Sequence, residues 1–317
     1  MRLFLAILFT ATVLLCQVKV DNVLLSMVPP GSDSLVGAQM AAVKASPLYQ
    51  KMLAARKLPE LDRFANESGF DPRTDVRELL FASTKLGGVL LARGKFDVKA
   101  GLNNPELKKN MKLVRHGEYV IYAMSTGDSG FCILDSTLAA AGTVPVLEAA
   151  LDEWKSGKHG NAKALLARLK TLDSKTQLWG ISTGFASFVA DHMPKVAGGN
   201  VDFSQIFRGV EDTWFQLDMS QGMRAEIHGT TAKEADAVSL RDAAKGLVGF
   251  GRLSVPEGQS ELLRVWDGIT VEQTGNNFMV KADIKQELMD KLVAMMETMM
   301  KSNRPRPKTT EGKPRIN

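Results

Sequence analysis

The chain has 317 residues, of which 44% are hydrophobic and 24% charged, and its 40 basic and 35 acidic residues give a net charge of +5. This composition is ordinary for a globular protein with a sizeable core. Residues 301–317 carry six basic residues and one acidic residue, so the preceding 300 residues are neutral. A neutral body lacks the basic surface that nucleic-acid binding requires, so we expect no nucleic-acid partner.

The N-terminus has the pattern of a secretory signal. Arg2 precedes an apolar run from Leu3 to Cys16, which is shorter than the ~20 residues that a helix needs to cross a bilayer. We therefore predict a signal peptide over residues 1–20, an exported protein that is periplasmic or extracellular, and no transmembrane span. A buried N-terminal strand or helix is the alternative. Lipid anchoring at Cys16 is disfavoured because Leu15 replaces the usual small residue.

Cysteine usage fits export into a bacterial envelope. Without the signal, Cys132 is the only cysteine, so no internal disulfide can form. Its neighbours in "GFCILD" are apolar, which indicates a buried small side chain rather than a reactive thiol.

Residues 24–155 read as a first α+β half. In chain order we predict a strand at 35–40, a helix with Ser46 as its N-cap and Pro47 in its first turn, and a short helix ended by Gly69. A hairpin formed by "VRELLFAS" and "GGVLLARGKF" follows, then a helical or irregular stretch at 97–113, strand-like runs at 118–125 and 130–142, and an amphipathic helix at 144–155.

Residues 170–300 read as a second half in the same order, joined to the first by "KSGKHGNAK". We predict a strand in "TQLWGIST", short helices in "FASFVADHM" and "FSQIFRGV", a hairpin formed by "DTWFQLDMS" and "GMRAEIHGT", a long helix in "AKEADAVSLRDAAKGLVGF", a hairpin turning at Thr274–Asn277, and a closing helix in "KQELMDKLVAMMETMM".

The shared order of elements predicts an internal duplication. Paired strands mixed with helices favour an α+β fold, a duplicated unit of mainly antiparallel sheet with helices packed on one face. Residues 301–317, which are basic and broken by prolines, are predicted to be a disordered tail that makes at most weak contact with an anionic surface.

Gly180, Ser182 and Gly184 match the Gly-x-Ser-x-Gly nucleophile elbow of α/β-hydrolases. Such a serine needs a parallel sheet and a histidine that comes later in the chain. His192 lies on the helix that would follow the elbow, which leaves His228 as the candidate base. The chain lacks the alternating βα rhythm and an oxyanion loop, so a structural strand-to-helix turn is the competing interpretation.

Other chemical motifs are incomplete. Ser129 in "TGDSGF" resembles a trypsin-like serine, but Phe131 replaces a glycine and the upstream histidine segment is missing. The four histidines lack metal-site spacing, and no glycine-rich loop has the pattern of a phosphate site. We therefore predict no metal and no cofactor.

Several stretches together resemble a family of uncharacterised exported bacterial proteins, chiefly from acidobacteria. They are "LLSMVPPGSDSLVGAQMAAVKASPLYQ", "SGFDPRTDVRELLFAS", "GVLLARGKFD" and "ILDSTLAAAG". The resemblance implies export and a domain that starts near Leu24, and it implies no activity.

These patterns favour an exported, non-enzymatic binding or envelope-associated protein. Its partner would be a protein, an envelope polymer or a hydrophobic ligand. The alternative is a serine hydrolase that uses Ser182 and His228, and a third hypothesis is a purely structural component of the envelope.

Overall fold

The computed structural model describes residues 18–55, 58–68, 70–97, 109–157, 162–183 and 209–302. Twelve strands within these ranges form one sheet in which neighbouring strands are antiparallel. The strands are β1 Ser34–Ala38, β2 Val76–Thr84, β3 Gly87–Gly94, β4 Met111–His116, β5 Tyr119–Met124, β6 Ser129–Asp135, β7 Leu138–Thr143, β8 Leu178–Ser182, β9 Val210–Asp218, β10 Met223–Thr231, β11 Ile269–Thr274 and β12 Asn277–Ile284.

Helices flank the sheet, which makes the fold the α+β class that the sequence predicts. Those in the described ranges are α1 Asn22–Ser26, α2 Met40–Ala45, α3 Pro47–Ala55, α4 Pro59–Ser68, α5 Pro72–Asp75, α6 Val144–Ser156, α7 Lys163–Leu169, α8 Glu234–Leu253, α9 Ser260–Asp267 and α10 Gln286–Ser302. None of the described helices is both long enough and apolar enough to cross a membrane.

The strand order is β11-β12-β10-β9-β8-β1-β2-β3-β7-β6-β5-β4. Strands of the first half occupy one side and strands of the second half the other, and β1 and β8 join them at the centre. Read outward from the centre, the first half runs β1-β2-β3-β7-β6 and the second β8-β9-β10-β12-β11. The two orders correspond strand for strand, while β5 and β4 extend only the first half.

The central pair is closely packed. Leu35 lies opposite Ile181, and the hydroxyls of Ser34 and Ser182 share a hydrogen bond of 2.8 Å. The indole of Trp179, which is fully buried, covers Gly37, and a Cβ at this glycine would overlap the ring. A glycine is therefore required at this point by close approach rather than by an unusual backbone angle.

The two faces of the sheet carry different helices. Side chains alternate between faces along a strand. We call the face of Leu35, Leu91 and Trp179 the front face, and there α1, α6 and α7 cover the main apolar core. On the opposite, back face α8 packs over Phe278 and Val280 of the second half.

Helix α10 also packs on the back face. Its Leu288 and Met289 join Ile284 at the end of β12, together with Leu48 of α3 and Val265 of α9. The principal helices of the two halves thus lie on opposite faces of one sheet, so the correspondence between the halves is confined to their strands.

The three predicted hairpins are confirmed. The β2–β3 turn lies at residues 85–86, the β9–β10 turn at 219–222 and the β11–β12 turn at 275–276. The strand-like run at 130–142 proves to be the hairpin β6–β7, where the Asp135 carboxylate accepts hydrogen bonds from the Thr137 amide (2.6 Å) and hydroxyl (2.8 Å). Strand β4 overlaps a stretch predicted to be helical or irregular, and α7 and α9 were not predicted.

Some sequence-based predictions lie outside the described residues. They concern Cys16 and most of the signal segment, Gly184, the short helix predicted at 185–193, most of the one predicted at 203–210, and the tail from residue 303. The last residue of the second predicted helix, Val210, instead begins β9.

We expect alanine at Gly37 to destabilise the protein by roughly 1–3 kcal/mol, because the new methyl group must displace the Trp179 indole. Urea unfolding followed by circular dichroism measures this change. Gly246→Ala is the matched control, since no described atom lies within 4 Å of a Cβ there. In the interior of α8 alanine should instead stabilise the protein by about 0.5–1 kcal/mol. Equal effects of the two substitutions would contradict the packing at Gly37.

Candidate functional site

Ser182 is a buried residue at the end of β8. It is 8% exposed, and its hydroxyl pairs with that of Ser34. Strand β8 lies between two antiparallel neighbours, β1 and β9. A nucleophile elbow instead sits on a parallel sheet with its serine exposed at the top.

His228 projects from the other face of the sheet. Ser182 is in register with Thr213, and Thr213 is in register with Gly229, so these three residues share the back face. His228 precedes Gly229 and therefore points to the front face. The sheet separates the serine from the imidazole, and the two do not form a catalytic dyad.

The surroundings of His228 are polar and compact. Its ring stacks on Trp214 with 3.6 Å between ring centroids, and Nε2 lies 3.4 Å from Oε2 of Glu226. Glu226 also accepts a hydrogen bond of 3.0 Å from Gln216. Burial lowers the pKa of His228, and the hydrogen bond to Glu226 partly opposes this shift.

The remaining candidate side chains do not assemble a reactive centre. Cys132 is 1% exposed, and burial raises its thiol pKa to about 11, which keeps the sulfur protonated and inert at neutral pH. His116 pairs with Asp152 at 2.7 Å on the surface. Among the described residues, no three or more His, Cys, Asp or Glu side chains form a group that could hold a metal ion.

One concave feature of the described residues is a groove of about 1380 Å³ on the front face, between the segment before α1, helix α7 and the β9–β10 turn. Its apolar lining is Val18, Val20, Leu25, Ala42, Leu166 and Leu169. Its uncharged polar lining is Asn22, Gln39, Ser174, Thr176, Gln177, Ser220 and Gln221. Its basic lining is Lys19, Lys170, Lys175 and Arg224.

Two glutamines connect the walls of the groove. The amide N–H of Gln39 donates to the Gln177 carbonyl at 2.7 Å, and Gln39 Nε2 donates to the Lys19 carbonyl at 2.6 Å. Gln177 is 5% exposed, and its Oε1 accepts from the Met219 amide at 2.7 Å. Segments that are distant in sequence are therefore held together around the groove.

The segment before α1 is anchored to the sheet. The Asp21 amide donates to Glu78 at 2.9 Å, and Arg93 Nε donates to the Asp21 carboxylate at 2.9 Å. Burial raises the pKa of Glu78. Leu24 and Met27 are fully buried in the core, so this wall of the groove belongs to the folded body.

The charges of the groove are one-sided. No Asp or Glu is among its lining residues, whereas four basic residues are. Arg224 is paired with Asp218 at 2.6 Å. Burial opposes ionisation of Asp218, but the hydrogen bonds from Ser220 and Arg224 outweigh it and hold its pKa below the usual range.

Sequence reasoning missed this groove. Its residues come from four stretches, 18–25, 39–42, 166–177 and 220–224, and no spacing rule links them. The only available signal was the cluster of Lys170 and Lys175 around an otherwise polar loop, and such a cluster is usually a solvated surface.

The lowered pKa of His228 predicts an acid-sensitive contribution to stability. The ring stays neutral to lower pH in the folded protein than in the unfolded chain, so stability is lost as pH falls below 6.5, the ordinary pKa of a histidine. We expect His228→Gln to lose less unfolding free energy between pH 7 and pH 5 than the unaltered protein, as measured by urea unfolding. Glu226→Gln should lose more, because it removes the group that favours protonation. Parallel pH profiles for all three proteins would contradict this assignment.

Comparison with known proteins identifies a similar fold. No family model and no curated protein matches the chain. Solved structures of TP0453, a Treponema protein, are similar to it: crystal form III has a TM-score of 0.52 at 7% identity over 87% of this chain and 99% of that one. Crystal form I has a TM-score of 0.48 at 9% identity over 89% and 98%. At such low identity the likeness shows the fold alone.

Proposed function

We propose that this protein is an exported, non-enzymatic binding protein whose groove on the front face holds a ligand with a substantial apolar part. The observation that carries the proposal is the groove itself, about 1380 Å³ with an apolar floor and a polar rim. Ligand sites are typically concave and mainly apolar, with a few placed polar groups, and drug-sized ligands occupy roughly 300–1,000 Å³. The groove is large enough for an extended ligand.

The chemistry of the lining favours binding over catalysis. The Ser220 hydroxyl donates to the Asp218 carboxylate at 2.6 Å and the Ser174 hydroxyl to Asp173 at 3.5 Å, but no histidine that could complete a catalytic triad is among the lining residues. The serine-hydrolase alternative draws no support from the geometry, because Ser182 and His228 face opposite sides of the sheet.

Export remains part of the proposal, with an earlier end to the signal peptide than residue 20. Val18 is 6% exposed and its amide donates to the Leu172 carbonyl at 3.4 Å. Lys19 lines the groove and accepts from Gln39. Cleavage after residue 20 would remove this wall, so we place the end of the signal before Val18.

We further propose that the strands of the two halves derive from one repeated unit, since the outward strand orders correspond. The basic tail stays a proposed contact with anionic surfaces of the envelope, where Lys and Arg would supply the attraction. An envelope polymer or a protein with an acidic surface stays a proposed partner of this basic tail, through the same attraction.

The export proposal predicts that the chain, expressed with its own N-terminus in a bacterial host, is recovered from the envelope or the medium. Its first residue, read by N-terminal sequencing, should lie at or before Val18. Recovery in the cytoplasm with Met1 attached would contradict export. A start beyond Val20 would contradict our account of the groove wall.

Filling the groove should abolish binding of a neutral apolar probe. Ala42 is exposed on α2 and lines the groove, whereas Ala41, its exposed neighbour, is not among the lining residues. We expect Nile red fluorescence to rise when the dye is added to the unaltered protein or to Ala41→Trp. In Ala42→Trp the apparent affinity for the dye should fall at least tenfold. An equal response from both variants would show that the dye binds elsewhere and would remove the support for the groove.

A further inference from the structure

We infer that the ligand of the groove is an anionic amphiphile, a single acidic head group on a long apolar chain. This inference rests on the proposed binding function and names the chemical class of its ligand. It follows from the placement of three lysines around an apolar floor.

The three lysines are Lys19, Lys170 and Lys175. Within the described part of the chain, none of their ammonium groups has an ion-pair or hydrogen-bond partner, and Lys19 and Lys170 come from different segments. The fourth basic residue, Arg224, is held by Asp218. Three like charges on the lining of one groove repel one another, and an anion bound among them would relieve this repulsion.

Neighbouring carboxylates of the protein do not act as the anionic partner of the three lysines. Asp21 accepts from the Val23 amide at 2.8 Å and pairs with Arg93. Asp173 accepts from the Lys175 amide at 2.9 Å, and Asp218 is bonded to Ser220 and Arg224. Each of these acids is committed to backbone or side-chain donors, and none is a lining residue of the groove.

The floor specifies the other end of the ligand. Val18 and Leu169 are buried, and Leu25 and Leu166 are half-buried, so their side chains still present apolar surface to the groove. An inorganic anion would leave this surface in water, and a neutral lipid would leave the lysines without a partner. A long-chain carboxylate or phosphate suits both the lysines and the apolar floor. The ammonium groups donate charge-assisted hydrogen bonds to its oxygens, and its chain covers the leucines.

An acidic peptide fits less well. The polar groups of the walls are largely used within the protein: Gln39 and Gln177 bond to the backbone of neighbouring segments, and Thr176 donates to Gln216 at 3.2 Å. Few are left to satisfy the backbone of a bound peptide, whereas an acyl chain needs none.

The test compares a charged probe with its neutral counterpart on the full chain. We would titrate the protein with cis-parinaric acid, an intrinsically fluorescent long-chain carboxylate, and with its methyl ester. The acid should bind about tenfold more tightly than the ester, the ratio that three exposed lysine contacts of modest strength supply together. The preference should shrink as salt is added.

Two triple variants assign the preference to the groove. Lys19→Gln, Lys170→Gln and Lys175→Gln together should abolish the preference for the acid while Nile red still binds. The control variant combines Lys163→Gln, Lys233→Gln and Lys245→Gln. These lysines are also exposed and are not lining residues, so the control loses the same net charge as the first variant without changing the groove. Urea midpoints should be unchanged in both, since all six side chains are on the surface.

The outcomes separate the two proposals. If neither probe nor Nile red binds, the proposed binding function fails. If Nile red binds but acid and ester bind equally, or if the control variant loses the preference as well, only the ligand class is overturned. A third arm uses sedimentation with phosphatidylglycerol vesicles. Binding to vesicles through the three lysines without binding of monomeric acid would overturn the groove ligand in favour of a bilayer surface.

Discussion

The antiparallel pairing of β1 with β8 is the constraint on which the rest of the structure depends. Five residues on each strand are in register, with Val36 opposite Gly180 at the midpoint. Because this pair joins strands of the first half to strands of the second, it converts two smaller sheets into one of twelve strands. The packing of Trp179 over Gly37 and the paired hydroxyls of Ser34 and Ser182 fix the register at this seam.

The groove is a consequence of the same seam. Gln39 directly follows β1 and Gln177 directly precedes β8, so the pairing of the two strands brings the glutamines together at one edge of the front face. The segment before α1 and the turn after β9 then bond to these glutamines. A groove formed in this way belongs to neither half alone, so no motif within one half could indicate it.

Sequence patterns were sufficient for local structure and insufficient for the site. The alternation in Met223–Ile227 and the turn around Gly275 are short-range signals, and both hairpins form where they predict. The pairing of Leu35 with Ile181 depends on chain closure over a long separation, which no local period encodes. Gly180-x-Ser182 misleads for a related reason: its glycine accommodates the ring of Phe215 from a neighbouring strand rather than a strained catalytic turn.

The long separation of the central pair also governs the order in which the fold can be built. Ser34 and Ser182 are 148 residues apart, so during synthesis β1 has no partner on that side until more than half of the chain has emerged. Local hairpins such as β2–β3 form early, and non-local pairing of this kind is intrinsically slow. A polypeptide with this topology can close its central seam only when both halves are present.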